Sequence, residues 1–183
     1  MIETVLGPID SSQLGITQVH EHLLIDLVRN RASRGTTPKD LAKWDHPITL
    51  ENSADVRRHP DLYRTAERLD SVEDAVAELG LYRAAGGTGL VECTTGGLRR
   101  DPLGLREISR RAGVHVVMGS GYYVQEFHPP EIATRSIEEI ADDIVKELTV
   151  GVDGILAGVI GEIGLKWTAH SDEIKVLRAA ARA

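Results

Sequence analysis

An α/β fold, with strand–helix units laid on one parallel sheet, is what this sequence predicts, and three observations carry the prediction. Short, near-continuous apolar runs occur at Leu90-Val91, at Val114-His115-Val116-Val117-Met118 and at Ile155-Leu156-Ala157-Gly158-Val159-Ile160. Between them lie segments whose apolar residues recur at helical spacing, and strands that read as continuous apolar runs belong to parallel sheets covered by helices. Third, the chain has 183 residues, 42% of them hydrophobic and 27% charged, which suits a single globular domain with a real core.

The elements follow in order. Ile2 to Leu6, Gly7-Pro8 and Ile9 to Ser11 predict an N-terminal β-hairpin, with Gly-Pro as the turn. Ile16 to His22 is strand one. A polar stretch from about Asp26 to Asp70 carries Pro38, Pro47 and Pro60. It is too long for an ordinary linker and is expected to hold short helices, one of them at Ser53 to Arg58. A helix then starts near Ser71 on the stripe Val72, Ala75, Val76, Leu79 and Tyr82 and ends at Gly86-Gly87. Strand two is Thr88 to Cys93. Asp101-Pro102 opens the next helix, the carboxylate capping and proline taking the first helical position, and Gly113 closes it. Strand three is Val114 to Met118. Ser136-Ile137-Glu138-Glu139 is a capping box ahead of the stripe Ile137, Ile140, Ala141, Ile144, Val145 and Leu148. Strand four is Ile155 to Ile163, and a last helix runs from near Ser171 to Ala183.

This is (βα) four times over. Two architectures compete, a doubly wound open sheet and part of a (βα)8 barrel. No Gly-x-Gly-x-x-Gly opens the first helix, so a dinucleotide fold has no support. His20 and His22, Cys93-Thr94-Thr95, Gly119 to Tyr123 and Glu162 all fall at strand C-terminal ends, the active face of barrels. Composition excludes some partners. A net charge of −7 argues against nucleic acid, whose phosphates need a basic surface. No apolar run reaches the ~20 residues of a membrane span, and no secretory signal opens the chain. One cysteine, Cys93, excludes an internal disulfide and suits a reducing compartment, so the expected localisation is cytoplasmic.

His20 and His22 are the clearest candidates for chemistry. On a strand, residues i and i+2 face one side, so both imidazoles can reach one metal ion. Glu162, in Gly161-Glu162-Ile163-Gly164, puts a carboxylate at the end of an otherwise apolar strand. Histidine with carboxylate suits zinc or another first-row metal, and a carboxylate can bridge two ions. The other histidines are weaker candidates. His46 and His59 read as solvated, and His115 sits at the wrong end of its strand. His128 lies in a loop without a partner, and His170 follows strand four near the mouth. Glu21 points to the opposite face from the two histidines, and Cys93 reads as a small buried residue.

The order of Gly7-Pro8-Ile9, Leu14-Gly15-x-Thr17-x-x-His20-Glu21-His22, Asp55-Val56-Arg57-Arg58, Glu92-Cys93-Thr94, Gly119-Ser120-Gly121-Tyr122-Tyr123 and Gly161-Glu162-Ile163-Gly164 resembles the phosphotriesterase family of the amidohydrolase superfamily. The tail from Gly161 is most similar to its phosphotriesterase-related branch, in which glutamate replaces a carboxylated lysine. Glu162 takes that place, and Lys166, four residues later, does not.

The resemblance implies the N-terminal (βα)4 half of a (βα)8 TIM-type barrel, spanning residues 1–183 as one partial domain. It also implies a metal-dependent hydrolase using two divalent ions, zinc foremost. His20 and His22 would hold the more buried ion, and Glu162 would bridge both and serve catalysis. A metal-activated water would attack an ester, lactone, amide or phosphotriester bond of a small-molecule substrate, with an ester or amide favoured. The family's further ligands, two histidines and an aspartate, belong to strands five to eight, so this chain is expected to carry half of the site. The alternative is a non-catalytic half-barrel that binds metal or a partner. Partnership with a second copy or with the missing C-terminal half is expected from unpaired strand edges. If the site is real, His20, His22 and Glu162 must converge at the C-terminal end of a curved sheet, because strands one and four are not neighbours.

Overall fold

The computed structural model describes residues 1–28 and 37–183, so part of the polar stretch expected over Asp26 to Asp70 lies outside the described residues. The main sheet has four parallel strands. They are β3 (Thr17–Glu21), β6 (Gly89–Glu92), β7 (His115–Ser120) and β8 (Val159–Ile160), in that spatial order. Among the described residues two small antiparallel pairs complete the strands: β1 (Ile2–Thr4) with β2 (Gly7–Ile9), and β4 (Ile25–Asp26) with β5 (Arg68–Leu69). The helices are α1 (Pro38–Lys43), α2 (Ser53–Arg58), α3 (Val72–Ala84), α4 (Pro102–Ala112), α5 (Ile137–Thr149) and α6 (Ser171–Arg182).

Local chemistry explains the helix boundaries. Ser71, Asp101 and Ser136 each accept a backbone N–H of the first turn of α3, α4 and α5, satisfying donors that have no intrahelical partner. Gly113 ends α4 in the left-handed conformation, at φ 65°, where a side chain would be strained. The core lies between sheet and helices. Leu90, Val116 and Met118 of the sheet pack against Ala75, Leu79, Leu105 and Ile108 of α3 and α4. A second cluster joins Ile140, Ala141 and Ile144 of α5 to Val176 and Ala179 of α6. The hairpin closes the N-terminal end of the sheet through Val5 N–H to Val116 O, at 2.9 Å.

Two sequence expectations shift. Gly7-Pro8 is not the hairpin turn. The turn is Val5-Leu6, held by the Thr4 hydroxyl donating to Gly7 O at 2.6 Å, and Pro8 sits inside β2 opposite Glu3, where an edge strand tolerates a missing donor. Strand four is shorter than Ile155 to Ile163, because its first residues bond elsewhere. Ile155 pairs back to Val152, Ala157 N–H donates to Glu147 O, and the ladder with β7 begins only at Val159. Among the described residues no helix is long and apolar enough to cross a membrane.

Candidate metal centre

Strand β3 pairs with β6 in register at Thr17↔Gly89 and Gln18↔Leu90. Glu21 then faces Glu92, so the register slips by one residue between Gln18 and Glu21. Such a bulge re-aims the side chains beyond it. It carries His20 and, just past the strand, His22 to the C-terminal mouth of the sheet, their ring centroids 5.5 Å apart and edge to face. Glu162 arrives from the opposite edge, two residues after β8.

The four strands curl enough to close that distance. His20 Nε2 lies 3.1 Å from Glu162 Oε2, and His22 Nε2 lies 3.8 Å from Glu162 Oε1. One donor atom of each residue falls within 4.8 Å of the others, making this a group that could hold a metal ion. Ligand atoms at ~2.0–2.2 Å from one tetrahedral zinc are themselves ~3.3–3.6 Å apart, so the donor chemistry and the spacing fit a small divalent cation.

Burial tunes these groups. His22 is held below the ordinary imidazole value, first because its charged form is desolvated and then because His20 is near. Both effects favour the neutral imidazole, the form that ligates. Burial raises Glu162, and the neighbouring His20 partly offsets this. Cys93 is pushed up to about 11 by burial, with the Glu162 and Glu92 charges adding to it, which disfavours a nucleophilic thiolate at neutral pH.

Behind His22 lies a pair that motif reading did not single out for chemistry. Glu92, fully buried, accepts from Leu23 N–H at 3.2 Å, Thr94 N–H at 3.1 Å and the Thr94 hydroxyl at 2.5 Å. Thr94 Oγ1, also fully buried, is 2.9 Å from His22 Nδ1. Burial pushes the Glu92 carboxyl up to about 7, against the lowering effect of those hydrogen bonds. The available signal was a carboxylate inside the apolar run Leu90-Val91-Glu92-Cys93, which alternation places on the helix-covered face with Leu90.

Two of the other histidines have structural partners. His170 caps α6, its ring accepting from Asp172 N–H at 3.2 Å. His128 Nε2 bonds Tyr123 O at 2.7 Å. His46 and His59 are exposed and His115 opens β7. Lys166 ion-pairs with Glu126 at 2.6 Å. The mouth is braced by two buried charges. Arg100 forks onto Glu147 at 2.7 and 2.9 Å and donates to Gly119 O at 2.6 Å. Glu173 accepts from Gln125, Lys166 and His170 N–H groups at 2.9, 3.2 and 2.9 Å, tying the loops after β7 and β8 to α6.

Comparison with known proteins shows the family and the fold. The profile of the phosphotriesterase family matches residues 1–183. N-acetyltaurine hydrolase of Tetraodon nigroviridis is 40% identical over 187 residues, covering 100% of this chain and 52% of that protein. The Homo sapiens N-acetyltaurine hydrolase is 35% identical over 185 residues, with the same coverage. The crystal structure of a resiniferatoxin-binding protein from Rhodobacter sphaeroides superposes with a TM-score of 0.92 at 40% identity, covering all of this chain and 51% of its own. The phosphotriesterase homology protein from Escherichia coli, complexed with phosphate in its active site, superposes at 0.70 with 29% identity, covering 96% and 50%. The chain thus spans about half the length of the relatives it matches, and its curled four-stranded sheet is half of a (βα)8 barrel.

Proposed function

This chain belongs to the phosphotriesterase family, and from that premise we propose that it supplies the strand-one and strand-four half of a hydrolase metal centre, with His20, His22 and Glu162 as ligands. The observation that carries the reading is the convergence of those three side chains from opposite edges of the sheet. Bound there, a divalent cation, zinc foremost, supplies Lewis acidity toward a carbonyl or phosphoryl oxygen and activates water.

The chain's own residues hold and orient. His20 and His22 present Nε2 to one point. Glu162 presents one oxygen toward each histidine, so its carboxylate would complete the ligand set of an ion held by the two imidazoles. The mouth is open at His20, which is 58% exposed, leaving room for substrate and for further ligands from the rest of a complete barrel. A carboxylic amide or ester is the proposed substrate class. The glutamate at position 162 and the N-acetyltaurine hydrolase relatives support an acyl-transfer reaction over phosphotriester cleavage.

Metal analysis of the purified chain tests the reading, with hydrolysis of N-acetyltaurine, a simple aryl ester and a phosphotriester assayed on a complete barrel carrying this half. One zinc bound per chain, lost in His22→Ala and Glu162→Ala, together with preference for the acyl substrates, is expected. Unchanged zinc content in both variants would remove these residues from the ligand set.

A further inference from the structure

We propose that Thr94 and Glu92 are positioning residues for His22, a buried relay that fixes the imidazole as the Nδ1–H tautomer and leaves the Nε2 lone pair facing Glu162. The proposal rests on the metal-binding reading of His20, His22 and Glu162 and adds to it what sets the ligating nitrogen.

Proton counting carries the argument. At the pH 8 of the test below Glu92 is a carboxylate, whose oxygens can only accept, from Leu23 N–H, from Thr94 N–H and from the Thr94 hydroxyl. A threonine hydroxyl has one proton and two lone pairs. Thr94 gives that proton to Glu92 Oε1. Its contact with His22 Nδ1 must then run the other way, from ring N–H to hydroxyl oxygen. The proton is thereby placed on Nδ1, and Nε2, which faces Glu162, is left bare to ligate.

Neither Thr94 nor Glu92 has solvent exposure, so water does not compete for these bonds. The relay is anchored to the backbone it serves: Glu92 holds Leu23, the residue after His22, and Cys93 N–H donates to Glu21 O, the residue before it, at 2.8 Å. Ligating histidines gain orientation and basicity when the second ring nitrogen is held in this way, and losing the partner costs ~10–100-fold in metal affinity.

The test has two arms. Nitrogen-15 NMR of the metal-free chain at pH 8 reads the His22 tautomer directly. The Nδ1–H form is expected, and an Nε2–H form would overturn the proposal without any variant being made. In the second arm, zinc affinity is measured by chelator competition for wild type, Thr94→Val and Thr94→Ser, with folding followed by thermal melts. Thr94→Val removes the hydroxyl at nearly constant volume and should bind ~10–100-fold more weakly, with its His22 spectrum moving toward the other tautomer. Thr94→Ser keeps the hydroxyl and should stay close to wild type. A folded Thr94→Val chain that binds like wild type would overturn the relay while leaving the metal centre standing. A wild-type chain that binds no zinc would instead overturn the metal reading itself. Should Thr94→Val fail to fold, the wild-type spectrum still decides.

Discussion

The Glu92 carboxyl is fully buried, and burial holds its titration near 7 against an unfolded value near 4.5. Below about pH 4.5 the group is protonated in both states and costs nothing. Between 4.5 and 7 the unfolded chain releases the proton while the native state retains it, so stability falls as pH rises. The full difference is on the order of 3 kcal/mol. We expect the denaturant-unfolding free energy of wild type, relative to Glu92→Gln, to drop by about that amount between pH 4.5 and pH 7.5. A difference that stays flat across this interval would show that the native carboxyl is not held above its unfolded value. This carboxylate was legible in the sequence as a charge in an apolar run. Two of its three donors belong to the neighbouring Thr94; the third, Leu23 N–H, was not legible, because Leu23 lies some seventy positions away and approaches only through the β3–β6 pairing. His22 and Glu162 show the same division: sequence spacing names them, and neither their mutual distance nor the burial that shifts them is encoded in that spacing.

At the scale of elements, helices were read more closely than strands. The expected helix at Ser53 to Arg58, the starts at Ser71, Asp101 and Ser136 and the stop at Gly113 all lie where the structure has them. Caps are local, a side chain meeting a backbone group two or three residues away, so the sequence around them is sufficient. Strand β8 was read too long because strand length depends on which backbone groups find a neighbour. Ile155 and Ala157 find theirs outside the sheet. The α5–α6 pair rests on an apolar seam in which Ile140, Ile144, Val176 and Ala179 are essentially without exposure. Ile144→Ala deletes methyl groups at the centre of this seam and should cost ~2–5 kcal/mol. Ala substitution of Val145, which is 39% exposed on the same helix, should cost far less. Equal losses in the two variants, measured by urea denaturation, would contradict this packing.

For the whole molecule the decisive property is curvature, because it brings strand β8 within reach of β3 across two intervening strands. Gly119, on β7, lies against the backbone that follows β8. A Cβ there would lie 2.0 Å from Gly161 O and 3.1 Å from Glu92 O, both backbone atoms that cannot swing aside. Gly119→Ala should therefore push the β8 end outward and carry Glu162 away from the histidines. Overpacking of this kind costs ~1–3 kcal/mol, and displacing one ligand should weaken zinc binding by roughly 10-fold or more. Gly96→Ala, where a Cβ meets nothing within 4 Å, is the matched control. Zinc affinity unchanged in Gly119→Ala would mean that the mouth tolerates a wider sheet. The sequence by itself determined the α/β alternation, the helix caps, the family, and the three side chains gathered at the mouth, since each is carried by residue type and short spacing. Only the tertiary structure decided that His20 and Glu162 stand 3.1 Å apart and that Thr94 and Glu92 lie behind His22, because sheet curl and interstrand register arise from packing between residues distant in the chain.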